Sequence, residues 1–130
     1  MTPVAGVTIV VPVWDRYVAF LRECVDSLLD HAAGQPRIVV VDNASRDPLP
    51  VLPRGIEVIR SSRRLSVGAA RNLGLAEVET REVIFCDADD RLLPGAMAFL
   101  QSRMAERPEL VAAICRYVSW NPETKTRAVL

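Results

Sequence analysis

The sequence predicts an α/β domain, a mainly parallel sheet flanked by helices in three layers. Short β-branched or apolar runs recur at Val7–Val11, Arg37–Val41 and Val83–Cys86, each too short for a core helix. Helical patterns separate them, one with an apolar stripe from Val18 to Leu29 and one of small residues from Val67 to Ala76. Strands joined through helical crossovers pair in parallel. The 130 residues are read as a single domain, 1–130, able to bury about two-thirds of the surface of the unfolded chain.

The first strand, Val7 to Val11, is expected to stop at Pro12, which cannot donate to a central ladder. The next pattern places Val18, Leu21, Val25, Leu28 and Leu29 on one helical stripe, with Arg22, Glu23, Asp26 and Asp30 opposite. Gly34 and Pro36 set its end, and His31 falls in its last turn as a cap residue without a catalytic role. Strand two, Arg37 to Val41, breaks at Asp42-Asn43-Ala44-Ser45. Prolines 48, 50 and 53 make Asp47 to Gly55 a loop. Ile56 to Arg60 alternates in polarity and reads as a strand near the sheet edge. Ser66 suits the N-cap of the second helix. Strand four, Val83 to Cys86, is expected to be buried on both faces. Pro94 suits the first turn of a third helix, burying Met97, Leu100 and Met104 and ending before Pro108. Leu110 to Trp120 begins as a fifth strand, and Asn121 to Leu130 forms a polar turn.

Half the residues are apolar, and Lys plus Arg equals Asp plus Glu at 16 each, so no bulk field recruits nucleic acid or anionic lipid. Cys24, Cys86 and Cys115 are distant in sequence and odd in number, neither a zinc pattern nor a disulfide framework, which suits a reducing compartment. Val7 to Trp14 is too short to span a bilayer and lacks the features of a signal peptide. The cytoplasm is the expected location. Peripheral membrane attachment through a further part of the polypeptide stays compatible with it.

Ligands of an open parallel sheet sit beyond the carboxyl ends of the strands. Those positions hold Pro12-Val13-Trp14-Asp15, Asp42-Asn43 and Asp87-Ala88-Asp89-Asp90, with Arg71-Asn72 on the helix between the last two. Asp87 and Asp89, two apart on an extended chain, point the same way and repel. A divalent cation relieves that repulsion; an acidic turn capping a strand at the surface is the plainer alternative. An aromatic ring can stack on a base, an acid can accept from a ring or ribose donor, and a guanidinium can neutralise diphosphate. Together these describe a site for a metal-bound nucleoside diphosphate. Neither G-x-G-x-x-G after strand one nor a P-loop occurs, which disfavours a dinucleotide-binding oxidoreductase. A nucleotidyltransferase would want a glycine-rich basic loop where Pro12 to Arg16 stands.

Four blocks in this order, Val10 to Arg16, Ile38 to Ser45, Val67 to Gly74 and Phe85 to Asp90 with Pro94, resemble the nucleotide-binding half of family 2 glycosyltransferases over roughly residues 5–105. That resemblance implies the GT-A fold, Rossmann-like in its nucleotide-binding half. It implies a loop at Pro12, Val13, Trp14 and Asp15 that cradles and stacks the base, Asp42 recognising it (typically uracil), and Arg71 contacting the nucleotide. It makes Asp87-Ala88-Asp89 a D-x-D motif, with Asp89 the direct metal ligand and Asp87 oriented to ribose or to metal-bound water. The implied cofactor is Mn2+ or Mg2+. The implied reaction is transfer of a sugar from a nucleotide donor such as a UDP-sugar to an acceptor hydroxyl, with inversion.

Trp14 replaces the more frequent tyrosine and Asp15 the usual asparagine, while Arg64 and Ser66 replace an asparagine and a glycine. Arg64 reads either as a phosphate contact or as a solvated loop residue. Glu109 and Glu123, the acids after Pro108, make unconvincing catalytic bases, so the base is expected beyond Leu130. The chain is therefore read as a donor half whose acceptor half is absent. The alternative is a non-catalytic nucleotide-sugar-binding module, or an inactive fragment whose partner supplies the base. Donor sugar and acceptor (glycan, lipid carrier or small molecule) are not specified. A severed half with an uncovered sheet is expected to self-associate.

Overall fold

The computed structural model describes residues 2–130. Its main sheet has strand order β3-β2-β1-β4, from β1 (Val4–Val13), β2 (Arg37–Asp42), β3 (Glu57–Arg60) and β4 (Thr80–Phe85). All three pairings are parallel, as the crossovers require. β1 is central because it has a strand on each side, and its segment Val7 to Val11 is buried throughout.

The two faces divide by residue parity. Val7, Ile9, Val11 and Val13 pack with Ile38 and Val40 against α1 (Val18–His31) and Met97 of α3 (Ala96–Glu106). Val10 and Val41 face the other way and pack against Ala70 of α2 (Val67–Leu75). Ser66 caps α2 as expected, with its Oγ accepting from the Ala69 N–H at 3.2 Å. A helix on each face of the sheet gives the three layers.

Pro12 does not end β1, which continues to Val13 with Pro12 opposite Val41. The Val10 carbonyl accepts from Cys86 N and the Val13 carbonyl from Asn43 N, so even residues aim their backbone groups at β4 and odd ones at β2. Pro12 faces the β4 side, where the last bond is Cys86 N to the Val10 carbonyl. The next step would need a Pro12 N–H, so the β1–β4 ladder ends there while pairing with β2 goes on to Val13. At the other end Gly6, at φ 126°, absorbs the register shift between the Val4–Thr80 and Val7–Glu82 pairs.

Several sequence expectations are corrected. α1 ends at His31, three residues before Gly34, and its buried stripe contains Cys24, whereas Leu29 is exposed. β4 is an edge strand with Phe85 exposed, so its apolar run is not covered on both faces. Pro94 lies ahead of α3, in a turn that Gly95 completes at φ 80°. Leu100 and Met104 are half-buried; Met97 alone of the three is buried. No fifth parallel strand forms at Leu110. Val111 and Ile114 are almost fully exposed, and the chain instead makes an antiparallel hairpin, β5 (Val118–Asn121) with β6 (Thr126–Val129), separate from the main sheet. Val111 to Ile114 has the strand composition but pairs with no strand among the described residues. Among the described residues no helix is long and apolar enough to cross a membrane.

Candidate functional site

Parallel pairing puts the carboxyl ends of β1, β2 and β4 on one edge, and β2 and β4 flank β1. At about 4.8 Å per strand, the loops after β2 and β4 begin about 10 Å apart across β1. Trp14, Asp42 and Asp87 therefore lie along one edge of the sheet.

The loop after β1 is tied down on both sides. Val13 is buried in the core and its carbonyl accepts from Asn43 N, so it anchors this loop to the next one. Pro12 and Trp14 are partly exposed. Asp15 adopts φ 41°, in the left-handed region that asparagine and aspartate tolerate best. Its Oδ1 accepts from Arg46 N at 3.1 Å, and its Oδ2 lies 3.5 Å from Arg64 Nη1. The Arg64 guanidinium stacks on the Trp14 indole, 3.1 Å from the ring centroid, and Tyr17 packs at 5.6 Å with a 51° tilt. Arg64 is thus an exposed loop residue that covers an aromatic face and pairs with Asp15.

Asp42 is recessed, with only 4% of its surface exposed. Its Oδ1 accepts from Ser45 N at 3.0 Å, and its Oδ2 takes a charge-assisted bond from Arg60 Nη1. Arg60 also donates to the Ser45 carbonyl at 3.0 Å. A carboxylate has about four acceptor directions, so this bracing leaves room for a further donor. Asn43 clips the following loop through Leu65, accepting from its N–H at 2.7 Å and donating to its carbonyl at 2.9 Å. The Ser45 hydroxyl is buried with no hydrogen-bond partner among the described residues.

Arg71, on α2, reaches the acidic turn, its Nη2 donating to Asp87 Oδ1 at 2.8 Å. Ala88 is buried in the main core and fixes the turn, while Asp89 and Asp90 stay exposed. Although Asp90 is exposed as a residue, its carboxyl is partly desolvated against the turn, and this first, then the charges of Asp89 and Asp87, raises it from its ordinary range. Negative charge here exceeds what Arg71 offsets. Oxygen-only donors with surplus charge fit a hard divalent cation such as Mn2+ or Mg2+. Among the described residues no group of three or more acidic, histidine or cysteine side chains is assembled around a metal position. Cations that bind through one or two carboxylates plus substrate phosphates need no such cage. Behind the turn, the Cys24 and Cys86 sulfurs lie 3.8 Å apart. The Cys24 thiol is pushed well above its ordinary range by its hydrogen bond with Cys86 and then by burial.

The sequence singled out Trp14, Asp42, Arg71 and Asp87, and the structure sets them on one edge. It did not single out Arg60, Ser45, Tyr17 or the Cys24–Cys86 contact. Arg60 had a readable signal, since a basic residue closing β3 in parallel register lies opposite Asp42. The sulfur contact had none, because the two cysteines are 62 positions apart.

The same layers recur in solved structures. S. aureus TarS residues 1–349 in complex with UDP superposes with a TM-score of 0.67 at 20% identity, over 79% of this chain and 33% of that one. The complex of TarS 1–349 with UDP-GlcNAc matches over 79% of this chain and 32% of that one, also at a TM-score of 0.67 and 20% identity. The fold is therefore that of the GT-A class.

The chain belongs to glycosyl transferase family 2, whose family model matches residues 8–130. Among relatives, the O-antigen biosynthesis protein RfbC of Myxococcus xanthus is 31% identical over 112 residues, which are 80% of this chain and 9% of RfbC. The teichoic acid poly(glycerol phosphate) polymerase of Staphylococcus epidermidis is 25% identical over 112 residues, 80% of this chain and 16% of the polymerase. Glycosyltransferase GlyA of Streptococcus pneumoniae is 26% identical over 121 residues, 88% of this chain and 17% of GlyA. The chain thus spans less than a fifth of each of these three relatives, about a third of TarS 1–349 and 20% of the longer TarS chain.

Proposed function

We propose that this chain is the donor-binding half of a cytoplasmic glycosyltransferase that takes a nucleoside-diphosphate sugar, UDP-linked in the first instance, and passes the sugar to an acceptor hydroxyl with inversion. The observation that carries the reading is the common edge formed by Trp14, the braced Asp42 and the Arg71–Asp87 pair. The family membership and the UDP complexes of TarS support it.

In this reading the base lies on the Trp14 indole and displaces the Arg64 guanidinium, which is then free to meet the diphosphate. Asp42, held by Arg60 and Ser45 N, accepts from the ring N–H of the base. Arg71 sits within reach of both Asp87 and an incoming phosphate. Asp89, with Asp87 beside it, would hold Mn2+ or Mg2+, which as a Lewis acid stabilises the departing nucleoside diphosphate. An inverting displacement also needs a base for the acceptor hydroxyl. Glu109 is held below the usual carboxylate range by a backbone hydrogen bond and by Arg107, the wrong direction for a base. Glu123 is exposed on the hairpin turn. The base and the acceptor contacts therefore belong to a part of the enzyme other than these residues. The same observation favours, as a second reading, a nucleotide-sugar-binding module that acts with a partner.

Replacing Asp42 tests the base assignment. Asp42→Asn keeps the shape but turns one acceptor into a donor facing Arg60 and the base. UDP affinity is expected to fall at least about tenfold, or ~1.4 kcal/mol, with GDP and dTDP affected less. Competition binding with the three nucleotides measures this. An unchanged nucleotide ranking would remove Asp42 from base recognition.

A further inference from the structure

We propose that Cys24 and Cys86 form a reversible disulfide when the protein meets a hydroperoxide, making the wall behind the acidic turn an oxidation-sensitive site. This rests on the sulfur geometry and is independent of the sugar-transfer reading. The two sulfurs are 3.8 Å apart, already in contact, although the residues are 62 positions apart in the chain. A disulfide needs about 2.05 Å, so bond formation asks for a closing movement of less than 2 Å. The third cysteine, Cys115, is exposed and follows α3 in the chain.

The surroundings set the order of events. Cys24 is wholly buried on the inner face of α1, whereas Cys86 is only partly buried at the end of the exposed β4 edge. A peroxide therefore meets Cys86 first. The Cys86 sulfur attacks one peroxide oxygen and the O–O bond breaks. The departing hydroxide takes up the thiol proton as water, leaving a sulfenic acid. The Cys24 sulfur then attacks the Cys86 sulfur, the S–O bond breaks, and hydroxide leaves with the Cys24 proton as a second water. Two thiols lose two electrons and two protons, and the peroxide becomes two waters. A dithiol reverses the bond by exchange.

The consequence falls on the acidic turn. Both thiols point at the Asp87 carbonyl, Cys24 at 3.5 Å and Cys86 at 3.7 Å. Oxidation removes both S–H donors and shifts the residue immediately before Asp87, whose side chain is held by Arg71. It also ties α1 covalently to the end of β4.

Cysteine 115 is exposed and is first removed with Cys115→Ser, so that only the two thiols remain. The folded C115S protein is treated with hydrogen peroxide, quenched, and digested without reductant. The expected result is loss of both thiols together, a mass lower by two hydrogens, and a linked pair of peptides carrying Cys24 and Cys86. Dithiothreitol should restore both thiols. In Cys24→Ala, Cys86 should instead accumulate sulfinic acid that dithiothreitol does not reverse. The proposal is overturned if Cys86 in the C115S protein oxidises to sulfinic acid while Cys24 stays a free thiol. Crosslinks only between separate chains would overturn it equally.

Discussion

Asp89→Asn is expected to abolish the metal dependence of UDP binding and to lower affinity in Mn2+ at least about tenfold, ~1.4 kcal/mol or more. Asp89 is exposed and takes part in no hydrogen bond or ion pair among the described residues, so the substitution has little to disturb in the fold. Changes at such surface positions stay within about ±0.5 kcal/mol of stability. The fall in affinity can then be assigned to the lost charge. Calorimetry of wild type and variant, each with Mn2+ and with chelator, reads the difference. If the variant bound UDP in Mn2+ as tightly as wild type, Asp89 would hold no metal and the acidic turn would be only a strand cap.

The second large effect concerns the packing that carries Arg71 to the acids. Gly74 lies one turn after Arg71 on α2 and is pressed onto the sheet. A methyl group there would sit 2.3 Å from Val10 Cγ1 and 2.9 Å from Val41 Cγ2. Both valines are fully buried and stiff at χ1, so the helix must lift instead. Overpacking costs about 1–3 kcal/mol, while Gly to Ala inside a helix gains up to about 1 kcal/mol. The clash wins. Gly74→Ala should therefore lower stability by about 1–2 kcal/mol and weaken UDP binding as Arg71 moves off Asp87. Gly68, with nothing within 4 Å of the added carbon, is the control and should tolerate alanine. Urea denaturation of the two variants decides this, and a Gly74→Ala protein as stable as wild type would mean that α2 is not held against Val10 and Val41 in this way.

The parts of the fold legible from sequence were those set by local pattern. The β-branched runs of β1 and β2, the stripe of α1 and the cap at Ser66 each announce themselves within a few residues. What failed depended on neighbours. Pro12 stays in a strand because it faces β4 at the point where that ladder ends, while β1 goes on pairing with β2 through Val13, which no local reading can see. The apolar segment Val111 to Ile114 has strand composition but pairs with no strand among the described residues and stays irregular and exposed. Phe85 closes an apolar run and still lies at a sheet edge. At the site, the residue types were readable where a strand end presents them, at Trp14, Asp42 and Asp87. Their bracing was not, since Arg60 on Asp42, Arg64 on Trp14 and Arg71 on Asp87 are contacts across the fold. Each arginine meets an acid or an aromatic face that the sequence had already marked. Pairing them needed the strand order.

The central claim is that a cation at the acidic turn holds the diphosphate. Titration of the wild-type chain with UDP, once in excess Mn2+ and once in excess EDTA, tests it most directly. Binding in Mn2+ that disappears, or weakens by at least about tenfold, in EDTA is the predicted result. Equal affinity in the two conditions would contradict it.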